Sequence, residues 1–291
     1  MNHMKNIRTF WVYAAIVPAF LTACHLMKRG SKPIEIGICT GAANGAKMHQ
    51  YGYAYVEEGV SRFLIPTKPE NEFDEILEKA VTDSPIPVRY CNSFIPGNLK
   101  SVGDEAVHQD VLAFAETAFR RAQRAGVKMI VFGSGGSRSI PDGFPREKAL
   151  AQFIELGRKM APIARRYDVI IVLEPLNSSE CNFINSVAEG GEIVKAINHP
   201  NFMLLADLYH MKMEDEGPES ILQYGKWIKH VHIAEKQERA VPGTYNEDFR
   251  LYFKALRKIG YRGAISVEAR WQDFDTQMPI AIESIKNQLN N

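Results

Sequence analysis

A chain of 291 residues, 45% hydrophobic and 24% charged, has the ordinary globular balance that buries a full core, and its length suits a single α/β barrel. Its 35 basic and 34 acidic side chains leave a formal net charge of +1 with no dense basic stripe, so nothing points to nucleic acid or to anionic lipid headgroups as partners.

The first predicted element is a leader. Lys5 and Arg8 form a basic start, and the uncharged run FWVYAAIVPAFL (10–21) follows. That run is too short to span a bilayer comfortably but suits the apolar region of a secretory signal. It ends in Leu21-Thr22-Ala23-Cys24, which resembles the lipobox of bacterial lipoproteins. The resemblance implies a signal peptide over 1–23, lipidation of Cys24 after cleavage and a polar tether over 24–33. It also implies export, with the protein lipid-anchored at a bacterial membrane, facing the periplasm or the cell exterior, and touching the membrane through that anchor alone. The alternative is a short amphipathic or buried segment with a chance cysteine. Cys39, Cys91 and Cys181 show no metal-ligand spacing and read as free thiols.

From Ile34 onward, short apolar runs alternate with longer stretches of helical character. The strand candidates are IEIGICTG (34–41), YGYAYVEEG (51–59), PVRYCNSF (87–94) and KMIVFGSGG (128–136), then VIIVLEPLN (169–177), FMLLADLYH (202–210), IKHVHIAE (228–235) and GAISVEAR (263–270). Helices are expected between them, for example over 104–125, 146–167 and 246–259. Ser186-Val187-Ala188-Glu189 reads as a capping box, and Gly126, Gly260 and Gly263 sit where helices should stop. Each parallel strand pair needs a crossover, so eight strand-then-helix units predict a (β/α)8 TIM barrel forming one domain over 34–291. The alternative, an open doubly wound sheet, lacks its glycine fingerprint after the first strand.

Active sites of such barrels lie at the C-terminal strand ends, and here the late strands end in ionisable groups. The fifth runs into Glu174, the sixth into Asp207, the seventh carries His232 and the eighth runs into Glu268. Alternation puts Ile170, Val172 and Glu174 on one face and Ala264, Ser266 and Glu268 on another, both toward the barrel interior, with Ile171, Leu173, Ile265 and Val267 toward the helices. A carboxylate ending an apolar strand is costly unless paired or on a metal. Three carboxylates and one imidazole converging make a hard, oxygen-rich site suited to one divalent ion: Mn2+, Mg2+ or Co2+, with Zn2+ also accommodated.

The run from Ile34 to the C-terminus resembles the xylose-isomerase-like superfamily, nearest to ketose 3-epimerases and hydroxypyruvate-isomerase-like proteins. The matching segments are LEPLN (Glu174), ADLYHM (Asp207, His210), HVHIAE (His232), RAVPGT (Arg239) and SVEAR (Glu268). The resemblance implies Glu174, Asp207, His232 and Glu268 as metal ligands, and Glu174 and Glu268 also as the catalytic acid/base pair. It further implies Glu180, His210 and Arg239 as substrate-binding residues, a small carbohydrate as substrate, and a homo-oligomer as the common assembly of relatives. Arg239 lies seven residues beyond His232, one more than ketose 3-epimerases tend to have, which favours a general isomerase over a 3-epimerase.

The implied reaction is isomerisation or epimerisation of a sugar by proton transfer alpha to a carbonyl, through a metal-stabilised enediolate. Arg239→Ala is then expected mainly to weaken substrate binding. A lyase, dehydratase or keto-glycoside-processing enzyme on the same site is the alternative. A sugar-binding lipoprotein without catalysis and an endonuclease are weaker ones. Among lesser candidates, Ser134 to Arg138 reads as a glycine-rich mouth turn or a phosphate cradle, and His49, Tyr51 and Tyr53 as pocket lining or core. His199 reads as structural, His230 as a hydrogen-bonded neighbour of His232, and Trp271 as a sugar platform or a cap on the core.

Overall fold

Each apolar run forms a strand only as far as its backbone finds a parallel partner. In the computed structural model, which describes residues 34–290, the strands are β1 Glu35–Cys39, β2 Tyr55–Gly59, β3 Val88–Asn92, β4 Met129–Phe132, β5 Ile170–Leu173, β6 Phe202–Asp207, β7 Ile228–Ile233 and β8 Ala264–Val267. They close in chain order into a parallel barrel, β8 pairing with β1. The expected signal peptide over 1–23, the expected tether over 24–33 and the expected lipidation site Cys24 lie outside the described residues. No described helix is long and apolar enough to cross a membrane.

The strands are shorter than the runs that foretold them, for local reasons. Tyr51 and Gly52 belong to the turn leaving helix Gly45–Gln50, so β2 starts at Tyr55 rather than at residue 51. The run 202–210 divides at Asp207, whose Oδ1 accepts the backbone N–H of Tyr209 (2.7 Å) and of His210 (3.3 Å), capping helix Leu208–Met213. Ser186 caps helix Val187–Ile197 as expected, accepting Glu189 N–H at 3.0 Å, while the Glu189 carboxylate reaches back to Asn185 N–H at 2.9 Å. Gly126 and Gly260 follow their helices with φ of +76° and +69°. Gly263 is not a helix stop; it lies against the Tyr261 hydroxyl just before β8.

The pleat sorts side chains into two layers. Ile171, Leu173, Ile265 and Val267 pack outward under the helices, and Met129, Val131, Val172 and Leu205 fill the barrel interior with Ile170, Met203 and Tyr90. Each such buried aliphatic side chain contributes about 1.5–3 kcal/mol. The plug closes the middle of the barrel, so the inward residues at the C-terminal strand ends form the floor of an open mouth.

Candidate metal centre and active-site cleft

Glu174 from the end of β5, Asp207 closing β6, His232 on β7 and Glu268 past β8 meet at that floor, with one ligand atom from each lying within 4.8 Å of the others. His232 Nδ1 is the hub: Glu174 Oε1 lies 3.0 Å away, Glu268 Oε2 3.3 Å and Asp207 Oδ2 3.9 Å. Asp207 Oδ2 is buried without a hydrogen-bond partner. Burial and the adjacent Glu268 carboxylate push the Glu174 pKa above its ordinary range. Burial pulls the His232 pKa down, but Glu57 and the other carboxylates outweigh it and hold the ring well above the usual imidazole value. An unpartnered buried oxygen among three carboxylates and one imidazole fits a hard divalent cation held by Glu174, Asp207, His232 and Glu268.

Beneath this layer lies a residue that the sequence reading missed. Glu57, inward on β2 and fully buried, receives His232 Nε2 on Oε1 at 3.0 Å and His230 Nε2 on Oε2 at 2.8 Å. Ser266 Oγ donates to the same Oε2 at 2.6 Å, with the Tyr55 hydroxyl 2.9 Å from Ser266 Oγ. Burial opposes ionisation, yet the two imidazoles hold Glu57 well below the ordinary carboxylate range. His230 is thus the hydrogen-bonded neighbour of His232 that was expected. Cys39, ending β1, has its sulfur close to Glu57 and His232 and remains a free thiol, like Cys91 and Cys181.

Of the three expected substrate-binding residues, Glu180 and Arg239 line the cleft and His210 is buried, joined to Glu180 through Asn177. His210 Nδ1 accepts Asn177 N–H at 3.1 Å and faces Asn177 Nδ2 at 2.9 Å, which places its proton on Nε2; that nitrogen is buried and without a partner, 3.6 Å from Asp207 Oδ2. Asn177 Nδ2 also donates to Glu180 Oε1 at 3.0 Å. Arg239 spans the opening, donating through Nη2 to Glu268 Oε2 at 2.6 Å and through Nη1 to Glu180 Oε1 at 3.3 Å, its guanidinium 4.7 Å over the Tyr209 ring. The loop that carries it is held from below: buried Glu235 accepts Gly243 N–H (2.7 Å) and Tyr245 N–H (2.6 Å). Glu238 and Arg239 take left-handed φ of 59° and 52° in that loop.

Glu174, Glu180, Arg239 and Glu268 open onto a cleft of about 470 Å3, whose far wall comes from the loops after β2, β3 and β4. Asn92, at the end of β3, donates to Glu268 Oε1 at 3.3 Å, a contact with no sequence signature. Ser134 and Gly135 reach the cleft at the start of the short helix Gly135–Arg138; Ser134 Oγ accepts Ile95 N–H at 2.9 Å. Arg138 turns away from it, fully buried, donating to the carbonyls of Phe132 (3.0 Å) and Phe183 (3.3 Å), so its guanidinium braces the mouth and is not offered to the cleft. His49 and Tyr51 are exposed on the flank and do not line the cleft, and the Tyr53 hydroxyl is spent on Met278 O at 2.8 Å. Trp271 packs on Phe274 over the core, outside the cleft. His199 is structural, its Nδ1 accepting Asn201 N–H at 3.1 Å.

The family described as xylose isomerase-like TIM barrel matches residues 46–288. Among curated relatives, an L-ribulose 3-epimerase of Methylomonas sp. (strain DH-1) is 38% identical over 113 residues, 38% of this chain and 39% of that protein. A probable ketose 3-epimerase of Synechocystis sp. is 27% identical over 192 residues, 63% of this chain and 64% of the relative. The matched stretches thus span less than two thirds of either relative. The crystal structure of a Methylomonas sp. D-allulose 3-epimerase in complex with D-allulose shares the fold, with a TM-score of 0.74 at 23% identity over 88% of this chain and 98% of its own.

Proposed function

The chain belongs to the xylose isomerase-like TIM-barrel family, and from that premise we propose that it is a divalent-metal-dependent sugar isomerase or epimerase that moves a proton alpha to a carbonyl. The observation that carries this reading is the placement of Glu174 and Glu268 on β5 and β8, both open to the cleft and both against His232 Nδ1, at 3.0 and 3.3 Å. A divalent cation bound there supplies Lewis-acid polarisation of the substrate carbonyl and offsets the charge that develops as the proton leaves. One glutamate takes the proton and the other returns one, from the opposite face for epimerisation or at the neighbouring carbon for isomerisation. Their surroundings differ as this division requires: Glu174 is buried, whereas Glu268 is 26% exposed and bonded to Arg239. His210 offers Nε2–H to a substrate oxygen, and Glu180 and Arg239 bind hydroxyls across the mouth. The names of the curated relatives, both ketose 3-epimerases, support a keto sugar as the substrate.

The test is proton exchange with solvent. Metal-stripped protein is reloaded with Mn2+, Co2+, Mg2+ or Zn2+ and incubated in D2O with a panel of ketoses, aldoses and keto-glycosides. Metal-dependent deuterium beside the carbonyl is expected, reduced by at least about 10²-fold in Glu174→Gln and in Glu268→Gln. Near-normal exchange in Glu174→Gln overturns the mechanism, and an unsaturated product in place of an isomer assigns the site to a lyase.

The lipobox-like Leu21 to Cys24 supports a cellular placement that we include in the proposal: export and anchoring through a lipid on Cys24. Metabolic labelling with radioactive palmitate should mark the wild type and leave Cys24→Ala unlabelled; an unlabelled wild type removes the anchor.

A further inference from the structure

The cation site rests on which nitrogen of His232 faces it. The ring has two ways to hold its last proton: with the proton on Nε2, Nδ1 is a ligand; with it on Nδ1, the ligand atom is closed. The mouth itself favours the wrong choice, because three carboxylates surround Nδ1 and the nearest, Glu174 Oε1 at 3.0 Å, accepts a proton-bearing nitrogen. The only group facing Nε2 at hydrogen-bond distance among the described residues is Glu57 Oε1 at 3.0 Å.

We infer that Glu57 is a positioning residue that holds the proton of His232 on Nε2 and so keeps Nδ1 open to the cation. Three features of the surroundings suit it to that task. It is fully buried, so water does not compete for the imidazole. Its other oxygen is committed, taking His230 Nε2 at 2.8 Å and the Ser266 hydroxyl at 2.6 Å, so the carboxylate cannot rotate without losing both. Ser266 is braced in turn by the Tyr55 hydroxyl at 2.9 Å, and the Tyr55 ring carries the Arg89 guanidinium 5.0 Å from its centroid. Arg89 is paired with Glu35 at the start of β1. A chain of contacts therefore runs from the N-terminal end of the barrel to the metal site and fixes one carboxylate against one imidazole. None of these residues touches the substrate cleft, so their effect on chemistry passes through His232.

The inference rests on the cation site proposed above, and binding measurements separate the two. Metal-stripped wild type and Glu57→Leu are titrated calorimetrically with Mn2+ and Zn2+, and the melting temperature of each metal-free protein is recorded. Leu removes both acceptor oxygens at similar volume. The expected result is cation binding weakened about 10–100-fold. Glu57→Gln, with one acceptor oxygen for two imidazoles, should fall between Leu and wild type. A variant that melts lower yet binds both cations within about threefold of wild type marks Glu57 as merely structural and overturns the inference. Failure of the wild type itself to bind either cation overturns the site, and the inference with it. Should both variants fail to fold, nitrogen-15 spectra of the wild type loaded with Zn2+ decide: a proton coupled to Nε2 of His232 is expected, and a proton on Nδ1 overturns the assignment.

Discussion

Gly133 stands so close to Glu174 that a Cβ built on it would lie 2.1 Å from the carboxylate Oε2. The glycine, one residue past β4, leaves room for the Glu174 side chain to lie along the cleft wall toward His232. Its backbone φ is one that alanine adopts, so the pressure of a methyl group falls on the Glu174 side chain and not on the main chain. Gly133→Ala should therefore fold with a melting temperature near wild type while losing activity about 10²-fold, since a displacement of about 1 Å suffices for that. Thermal denaturation beside steady-state rates checks the pair of outcomes; wild-type activity means that Glu174 has room to move without consequence.

Asn177 controls the proton on His210 through its backbone N–H at 3.1 Å and its amide at 2.9 Å, and the same amide holds Glu180 Oε1 at 3.0 Å. Asn177→Asp replaces the shared donor with a carboxylate. Competing with the retained backbone N–H, that carboxylate draws the His210 proton toward Nδ1, removes from Nε2 the hydrogen proposed to meet the substrate, and sets two carboxylates against each other. Turnover should fall about 10²-fold and KM rise about tenfold. Asn177→Ala, which leaves the backbone N–H to act without a competing carboxylate, should raise KM only about threefold. Equal kinetics in the two variants, measured at saturating metal, tell against control of the tautomer.

Away from the site, Glu70 ties the start of helix Glu70–Asp83 to helix His108–Ala125. It bonds Arg120 at 2.9 Å and Arg121 at 3.1 Å and also pairs with Arg124. The hydrogen bond from Arg120, with Arg121 adding to it, holds the Glu70 pKa at about 2 against an ordinary 4.5. A carboxylate depressed on folding stabilises above its unfolded pKa and loses that contribution as pH falls through the folded value. The wild type should thus melt above Glu70→Gln by about 2–4 °C at pH 7, a modest figure because Glu70 is 39% exposed to screening solvent. The gap should narrow below pH 4.5 and close near pH 2. Scanning calorimetry across that range checks it. A gap independent of pH assigns the effect to packing.

How far the sequence discloses this site follows from what each residue does locally. Glu174, Asp207 and Glu268 end runs that are otherwise apolar, so their charge is conspicuous, and His232 takes its place by alternation with His230. Glu57 carries the same charge on the same inward face but lies beside Glu58 in an early strand that begins four residues later than its apolar run. Two adjacent carboxylates on such a strand do not say which points inward. The signal that was there is the pleat of β2, which aligns Tyr55 and Glu57 with the inward Ser266 and His230. Asn92 left no trace, because a lone amide is common in loops and is placed at Glu268 only by the β3 geometry. The barrel was legible as a whole because eight repeats of one pattern average out errors at the strand ends, whereas cleft walls are built from just those ends.

Arg239 shows how geometry alters an expectation drawn from residue type. As a substrate-binding arginine it would mainly set KM. Here its guanidinium also bonds the Glu268 carboxylate at 2.6 Å, its Nε donates to the Glu268 carbonyl at 3.2 Å, and it lies over Tyr209 at 4.7 Å. Its charge is reinforced because Glu268 and Asp207 outweigh the cost of its burial. Removing it frees the Glu268 carboxylate, proposed as one half of the acid/base pair, to swing and leaves it without its guanidinium partner. Arg239→Ala should therefore lower kcat about 10–100-fold as well as raise KM about tenfold. Arg239→Lys should recover little, since an ammonium cannot reach two carboxylates and stack on the ring at once. Separate kcat and KM values decide: a change in KM alone restores the simpler role, and full recovery by lysine shows that charge without geometry is enough.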